Sequence, residues 1–251
     1  MEETELLKKR FIELADRSYT KGQYTFTQFL GIAELSCFYE EKKALEYANP
    51  TVFGGYDGAE RSVVRFGDPE TMGYDELFPI DVLAIVPLMD KFADDLTHRD
   101  FLGALMSLGI ERNLLGDIIV TGKKAYLFCV NRISEYILEN LTSVKHTCVS
   151  VLRAGIEDIR EIPKSFEKGK MIQAASERID AVIAKVYNLS RGAAMEYFAQ
   201  KKVFVNGRMT ENTSFGLKQD DIVTVRGFGR FKFSGIVGTS RKGRLNILIK
   251  V

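Results

Sequence analysis

Six basic side chains follow one another closely between residues 178 and 208, and the chemistry they share is phosphate binding. They are Arg178, Lys185, Arg191, Lys201, Lys202 and Arg208. Like charges at this density repel one another, and a phosphate backbone neutralises them. Each residue taken alone fits a solvated surface charge, but the cluster as a whole predicts a site for a polyanion.

Two short helices and a tight hairpin are predicted to position these side chains. Apolar residues recur at helical spacing over 179–186, which predicts a helix with one inward face. Ser190 is a good N-cap for a second helix over 191–199. Free backbone N–H groups at that N-terminus suit a phosphate, and Arg191 adds its charge there. Asn206-Gly207 between two apolar runs predicts the hairpin.

The charge of the chain is divided unevenly along its length. Among 251 residues, 35 are Lys or Arg and 34 are Asp or Glu, a net charge of +1. Residues 176–251 hold 14 basic and 6 acidic side chains, a surplus of +8. Residues 1–175 hold 21 and 28, a net charge of −7. A basic domain joined to an acidic body indicates a polyanionic partner for the basic domain and leaves the acidic half for a protein partner.

The middle of the chain is predicted to follow the order β-α-β-β-α-β, the ferredoxin-like plan shared by RNA-recognition-motif domains. Strands are expected over 80–88, 117–121, 125–130 and 144–152, with helices beginning after the caps Thr97 and Ser134. Tyr126 and Phe128 alternate as base-stacking aromatics would. Leu127 and Cys129 are also apolar, however, so core packing is the preferred interpretation of both aromatics.

The expected fold class is α+β, with three domains. A small N-terminal α/β unit covers 1–70 and contains an amphipathic helix and a hairpin, with Asp68-Pro69-Glu70 as a linker. The ferredoxin-like domain covers 71–162. A second linker is expected over 162–170, before a C-terminal domain over 171–251.

Several other classes of protein find no support in the sequence. The charged N-terminus argues against a signal peptide, and no apolar run reaches the length of a membrane span, so a cytoplasmic location is expected. Cys37, Cys129 and Cys148 form no metal or redox motif and are expected to be buried thiols. We expect no cofactor, no metal and no membrane partner.

The last strands mix aromatic and basic residues in a way that allows two interpretations. Phe228, Phe231 and Phe233 alternate with Arg230 and Lys232. Such aromatics stack on bases in some nucleic-acid-binding proteins. Equally, the phenylalanines can face the core while the two basic side chains face outward.

The C-terminal segment resembles the S4 RNA-binding domain over residues 176–225. The matching stretches are Arg178-Ile-Asp180, Leu189-Ser-Arg191, Lys202-Val-Phe-Val-Asn-Gly-Arg208 and Asp221-Ile-Val-Thr-Val225. The resemblance implies that two helices and the loop before the hairpin contact structured RNA. Carried onto this chain, it adds Ser190 and Asn206 to the candidate RNA-binding residues, beside Arg178, Arg191, Lys201 and Lys202.

Nearly the whole chain is similar to the YlmH family, bacterial S4-domain proteins encoded near cell-division genes. The similarity rests on the stretches 98–117, 226–231 and 241–244. It implies a ribosome-associated protein that binds ribosomal or transfer RNA, linked to large subunits that carry peptidyl-tRNA.

The alternative function is an RNA-modifying enzyme that uses the S4 domain for targeting. A pseudouridine synthase needs a catalytic aspartate in a large domain, whereas Asp180 lies inside the small basic module and is expected to pair with an arginine or cap a turn. His98-Arg99-Asp100 resembles a kinase catalytic loop, but Leu105 stands where that loop needs asparagine. We therefore expect no catalytic residue and no enzymatic activity.

Overall fold

The chain folds as an α+β protein, as predicted, in two compact units. A computed structural model describes residues 2–154, 158 and 166–251. The first unit contains residues 2–34 and 41–154, and the second contains 35–40 and 166–251. The domain boundary expected near residue 70 lies inside the first unit and stays a prediction.

The first unit begins with the predicted amphipathic helix and hairpin. Its elements are α1 (Glu2–Lys21), β1 (Thr25–Phe26), α2 (Ile32–Glu41), a 3-10 helix (Lys42–Ala48), β2 (Thr51–Phe53) and β3 (Val63–Phe66). The strands form an antiparallel sheet in the order β1-β3-β2. Helix α1 buries Phe11 and Leu14 and exposes its charged face. No helix in the described part of the chain is long and apolar enough to cross a membrane.

The segment predicted as the first linker is instead a capped turn of helix. Asp68 accepts hydrogen bonds from the backbone N–H groups of Glu70 and Thr71, at 2.8 and 2.9 Å, and begins α3 (Pro69–Met72). Proline suits the first helical position because the N–H it lacks has no partner there. The prediction of a linker missed the role of Asp68 as a helix cap.

The central βαββαβ order is confirmed. Its elements are β4 (Ile80–Pro87), α4 (His98–Ser107), β5 (Leu115–Thr121), β6 (Lys124–Val130), α5 (Ser134–Asn140), β7 (Ser143–Val144) and β8 (Thr147–Arg153), with 3-10 turns at Asp90–Phe92, Arg112–Leu114 and Asn131–Ile133. All pairings are antiparallel in the order β5-β6-β4-β8-β7. The first and third strands of the repeat thus lie at the centre, as the ferredoxin-like plan requires.

One of the two helix caps predicted for the central domain is right. Thr97 caps α4 in a capping box with Asp100, whose carboxylate accepts from the Thr97 N–H at 2.8 Å. Lys145, 2.7 Å away, and these Thr97 bonds lower the pKa of Asp100 to about 2. Ser134, in contrast, is the first residue of α5 and donates to the carbonyl of Asn131 at 2.8 Å; the cap position is Ile133. A 3-10 turn precedes α5. The helix therefore begins at Ser134 itself, one residue earlier than it would begin if Ser134 were the cap.

The cysteines differ in exposure. Cys129 is buried on a central strand, where burial raises the pKa of its thiol to about 12. Cys37 is half-buried, and Cys148 is exposed, so the prediction of three buried thiols is wrong. Side chains alternate across a strand, and Cys148 occupies an outward position of β8 between buried Thr147 and Val149.

The second unit packs two helices on one face of a six-stranded antiparallel sheet. Its elements are β9 (Gly169–Ala174), α6 (Ile179–Val186), α7 (Arg191–Ala199), β10 (Val203–Val205), β11 (Arg208–Met209), β12 (Ile222–Val225), β13 (Gly229–Thr239) and β14 (Leu245–Lys250). The strand order is β11-β10-β12-β13-β14-β9. The apolar face of α6 is buried, as its spacing predicts, against inward residues of the sheet that include Phe231 and Ile247.

The predicted hairpin is present, and the second linker needs a correction. Asn206 and Gly207 both have positive φ, +49° and +79°, as the turn between β10 and β11 demands. The linker expected over 162–170 lies partly outside the described residues. Gly169 and Lys170, however, already belong to β9 and pair with β14, so the domain's sheet begins before residue 171.

Candidate nucleic-acid interface

One buried carboxylate holds two of the predicted RNA-binding arginines. Asp180, in the first turn of α6, has 1% of its side chain exposed. Arg178 donates from Nε and Nη2 to its two oxygens at 3.1 and 3.2 Å. Arg191 donates from Nε and Nη2 to Oδ2 at 2.9 and 2.8 Å. The prediction that Asp180 pairs with an arginine is confirmed, and it pairs with both.

The electrostatics of this triad favour a charged Asp180 at neutral pH. Burial alone raises the pKa of the Asp180 carboxyl, but the hydrogen bonds and charges of Arg178 and Arg191 outweigh it and hold the pKa below its usual range. The N–H of Ala181 adds a bond to Oδ1 at 2.9 Å. The arginines remain 39% and 61% exposed, so their outer edges face solvent while the carboxylate fixes their orientation.

The helix N-terminus beside this triad has the predicted cap. Ser190 Oγ accepts a hydrogen bond from the Ala193 N–H at 3.1 Å. Ser190 and Arg191 are both exposed. The positive end of the α7 dipole and the Arg191 guanidinium therefore lie at the same end of the helix, an arrangement that favours an anion.

Two lysines follow α7 and differ in their surroundings. Lys201 is 65% exposed and lies 3.3 Å from Glu211, an exposed pair that contributes little to stability. Lys202 is half-buried, with its ammonium 5.8 Å from the centre of the Tyr197 ring. Neither partner was predicted from the sequence, because each contact depends on how α7 meets the sheet.

The hairpin residues have mainly structural contacts. Asn206 donates from Nδ2 to Asp221 at 2.8 Å and accepts through Oδ1 from the Ile222 N–H at 2.9 Å. Its side-chain amide therefore ties the turn to β12. Arg208, across the turn, is exposed at the start of β11.

The eight candidates do not form a single compact cluster. Arg178, Ser190 and Arg191 meet around the N-termini of α6 and α7, and Lys185 is exposed in the last turn of α6. The nine residues of α7 separate Arg191 from the two lysines by about 13 Å. Strand β10, three residues long, separates those lysines from Asn206 by about 10 Å, and Arg208 lies across the turn from Val205. An array of this extent matches several successive phosphates rather than one.

The aromatic residues of the last strands are mostly core residues. Phe231 and Phe233 are 0% and 3% exposed and belong to the core of the second unit. Phe228 is 40% exposed and packs on Tyr187 and Tyr197, with ring centres 5.0 and 5.2 Å away. Of the two interpretations left open, core packing holds for Phe231 and Phe233.

The central sheet offers no stacking platform at its usual place. Tyr126 and Phe128 lie on central strand β6 and are 3% and 0% exposed. They pack with Phe29 and with Tyr56, whose ring centre is 4.9 Å from that of Phe128. The prediction that these aromatics are core residues is confirmed, because the N-terminal part of the first unit covers their face.

Comparisons with known proteins agree on one family. Residues 75–158 match the family model described as "Putative RNA-binding domain in YlmH". The chain is 30% identical over 196 residues to the Bacillus subtilis "Ribosome-associated protein quality control protein P2", covering 77% of this chain and 74% of that protein. Its fold is similar to the solved "Cell division protein ylmH from Streptococcus pneumoniae", with a TM-score of 0.51 and 20% identity over 64% of this chain and 95% of that one.

Proposed function

The chain belongs to the YlmH family, and from that premise we propose that it is a non-catalytic RNA-binding protein of the ribosome's large subunit. Its ligand is structured ribosomal or transfer RNA, and its role is connected with subunits that carry peptidyl-tRNA. The name of the Bacillus subtilis relative, a ribosome-associated quality control protein, supports the ribosomal part of the proposal. A ribosomal partner implies a cytoplasmic location.

The observation that carries the RNA part is the orientation of Arg191 at the α7 N-terminus. Asp180 holds the inner edge of this guanidinium at 2.8 Å, while 61% of the side chain is exposed. A cation fixed in this way loses little conformational freedom on meeting a phosphate. Lys185, Lys201 and Arg208 extend the exposed positive surface from this point.

The contacts of Asp180 argue against the alternative of an RNA-modifying enzyme. A catalytic aspartate must reach a substrate atom, whereas this carboxylate is 1% exposed and bonded to two arginines and a backbone N–H. The acidic part of the chain, residues 1–175 with a net charge of −7, is proposed to bind a protein rather than RNA backbone.

Sedimentation of a cell lysate tests the proposal. The wild-type protein is expected to travel with the large subunit in a sucrose gradient. The double variant Arg191→Ala, Lys202→Ala is expected to move to the top of the gradient at a lower salt concentration than the wild type, because phosphate contacts are lost. The control Lys9→Ala, Arg17→Ala removes the same charge from exposed positions of α1 and is expected to sediment like the wild type.

Two results would contradict the proposal. Wild-type protein that stays at the top of every gradient has no stable ribosomal partner. A modified nucleotide that forms when purified RNA is incubated with the protein would establish the enzymatic alternative.

A further inference from the structure

The positive surplus of the second unit lies almost entirely in its last three strands. Residues 176–221 contain seven Lys or Arg and six Asp or Glu, a net charge of +1. Residues 222–251 contain seven basic side chains and no acidic one. The helices that carry the predicted site are therefore nearly neutral as a segment, and the long-range field of the unit originates mainly from β12, β13 and β14.

The structure strengthens this contrast. Arg178 and Arg191 share Asp180, and Lys201 pairs with Glu211. Three cations occupy the tip of the β13–β14 hairpin and are exposed, and none has a carboxylate partner in the described part of the chain. These residues, the hairpin tip, are Arg241, Lys242 and Arg244.

The hairpin tip is closed by its own hydrogen bonds. The Ser240 N–H donates to the carbonyl of Arg244 at 2.7 Å, and the Gly243 N–H donates back to Ser240 at 2.9 Å. Ser240 Oγ accepts from the Arg244 N–H at 3.0 Å. Gly243 has a φ of +73°, which a side chain at this position would disfavour. The turn backbone thus holds three neighbouring cations together at one end of the hairpin.

The strand that leads to the tip is open to solvent. Ile236, Val237, Gly238 and Thr239 are all exposed, although strand residues normally alternate. Ile236 and Val237 are 48% and 55% exposed. The pairing with β14 shifts register just before this stretch, between Phe233 and Gly235, and within it, between Ile236 and Gly238. A surface that combines apolar and cationic side chains is complementary to nucleic acid, in which sugars and base edges lie beside the phosphates.

We propose that the β13–β14 hairpin tip is a second RNA contact surface that binds the phosphate backbone, separate from the surface around Arg191. The inference rests on the proposed function and deepens it. The helices supply oriented but largely neutralised cations, whereas the tip supplies unneutralised charge. Two contacts on one RNA raise the affinity through effective concentration without requiring either to be strong.

Binding of the full-length protein to a fluorescein-labelled stem-loop RNA across a salt series tests the proposal. The tip variant replaces Arg241, Lys242 and Arg244 with glutamine. Its affinity is expected to fall at least about tenfold, and its log-log salt slope to decrease by about 2, because each lost phosphate contact removes about 0.7 to 0.9 from the slope. The matched control replaces three exposed cations of α1 with glutamine: Lys9, Arg17 and Lys21. It is expected to keep the wild-type slope.

A charge-preserving variant, Arg241→Lys with Arg244→Lys, separates charge from shape. It is expected to bind RNA within about threefold of the wild type, since backbone contacts depend mainly on charge. Loss of binding in this variant as well as in the glutamine variant, with unchanged unfolding midpoints, would overturn backbone recognition by the tip.

The remaining outcomes distinguish the two proposals. A glutamine variant with the wild-type slope overturns the hairpin surface while RNA binding by the protein stands. A wild-type protein that does not bind the stem-loop removes the proposed function and the hairpin surface together. If the tip variant loses binding to poly-glutamate but not to RNA, the surface serves an acidic protein, and the RNA assignment is wrong.

Discussion

At the scale of single residues, Asp180 shows how a carboxylate can support an anion site. It repels phosphate when considered alone, yet it fixes two guanidinium groups whose outer edges remain exposed. Charge-assisted hydrogen bonds of this kind are stronger than neutral ones and set orientation as well as distance. The triad therefore loses some net charge and gains fixed geometry.

Replacing Asp180 with asparagine is expected to lower the unfolding free energy by about 1 to 3 kcal/mol at pH 7, because charged hydrogen bonds to both arginines are lost. The folded-state pKa of Asp180 is depressed, so its contribution is full above the unfolded pKa of about 3.9 and is lost as the pH falls. The difference in urea unfolding between the wild type and the variant should therefore begin to shrink near pH 4 and disappear only below the depressed folded-state pKa of Asp180. A stability difference that stays constant down to the lowest pH would show that the charge of Asp180 plays no part.

At the scale of elements, a single arginine ties the N-terminal hairpin to the central domain within the first unit. Arg61 donates from Nε to the carbonyl of Leu115 at 2.9 Å and from Nη2 to that of Phe29 at 2.9 Å. The Asp117 carboxylate accepts from the N–H groups of Glu60 and Arg61 at 2.7 and 3.1 Å. These bonds join segments up to 57 residues apart.

Arg61→Lys is expected to destabilise the first unit by about 1.5 to 3 kcal/mol, since one ammonium cannot reach the carbonyls that a planar guanidinium spans. Burial already lowers the pKa of Arg61. A lysine ammonium at this buried position would have fewer hydrogen-bond partners and would be poorly solvated. The control is Arg10→Lys, whose exposed pair with Glu13 should change stability by less than about 0.5 kcal/mol. Chemical unfolding measures both. If the two variants are equally stable, Arg61 does not stabilise the contact between the N-terminal hairpin and the central domain.

Local signals in the sequence predicted the elements well and the ties between them poorly. The spacing of α6, the Asn206-Gly207 turn and the Thr97 cap depend on neighbouring residues, and all three are present. The Arg61 contacts and the Lys201–Glu211 pair depend on segments that approach only in the folded chain. The site prediction shows the same limit: it found the cations and the pairing of Asp180 with an arginine, but not Glu211 as the partner of Lys201.

At the scale of the whole molecule, a net charge of +1 conceals two units of opposite character. The family model matches residues 75–158, where basic side chains number eight against thirteen acidic ones. The basic surplus lies beyond residue 175. Both units are candidates for the phosphate contacts, and salt dependence distinguishes them because the slope counts only contacts that are made.

A fragment of residues 166–251 is expected to fold on its own and to show a salt slope at least as steep as that of the full chain. The buried apolar cluster of the second unit comes entirely from residues 172–249, so the fragment retains that core. It lacks residues 35–40, which belong to the same unit. The fragment is therefore expected to unfold in one transition, at a lower urea concentration than the second unit of the full chain.

The affinity of the fragment for stem-loop RNA should exceed that of the full chain at low salt, where charges on the first unit act over longer distances. The two affinities should become similar near 0.15 M salt, where the Debye length is about 8 Å. Fluorescence anisotropy over the same salt series as for the full chain gives both slopes. If the fragment's slope is smaller by 1 or more, the first unit supplies phosphate contacts of its own, and RNA binding is shared between the units rather than confined to the second.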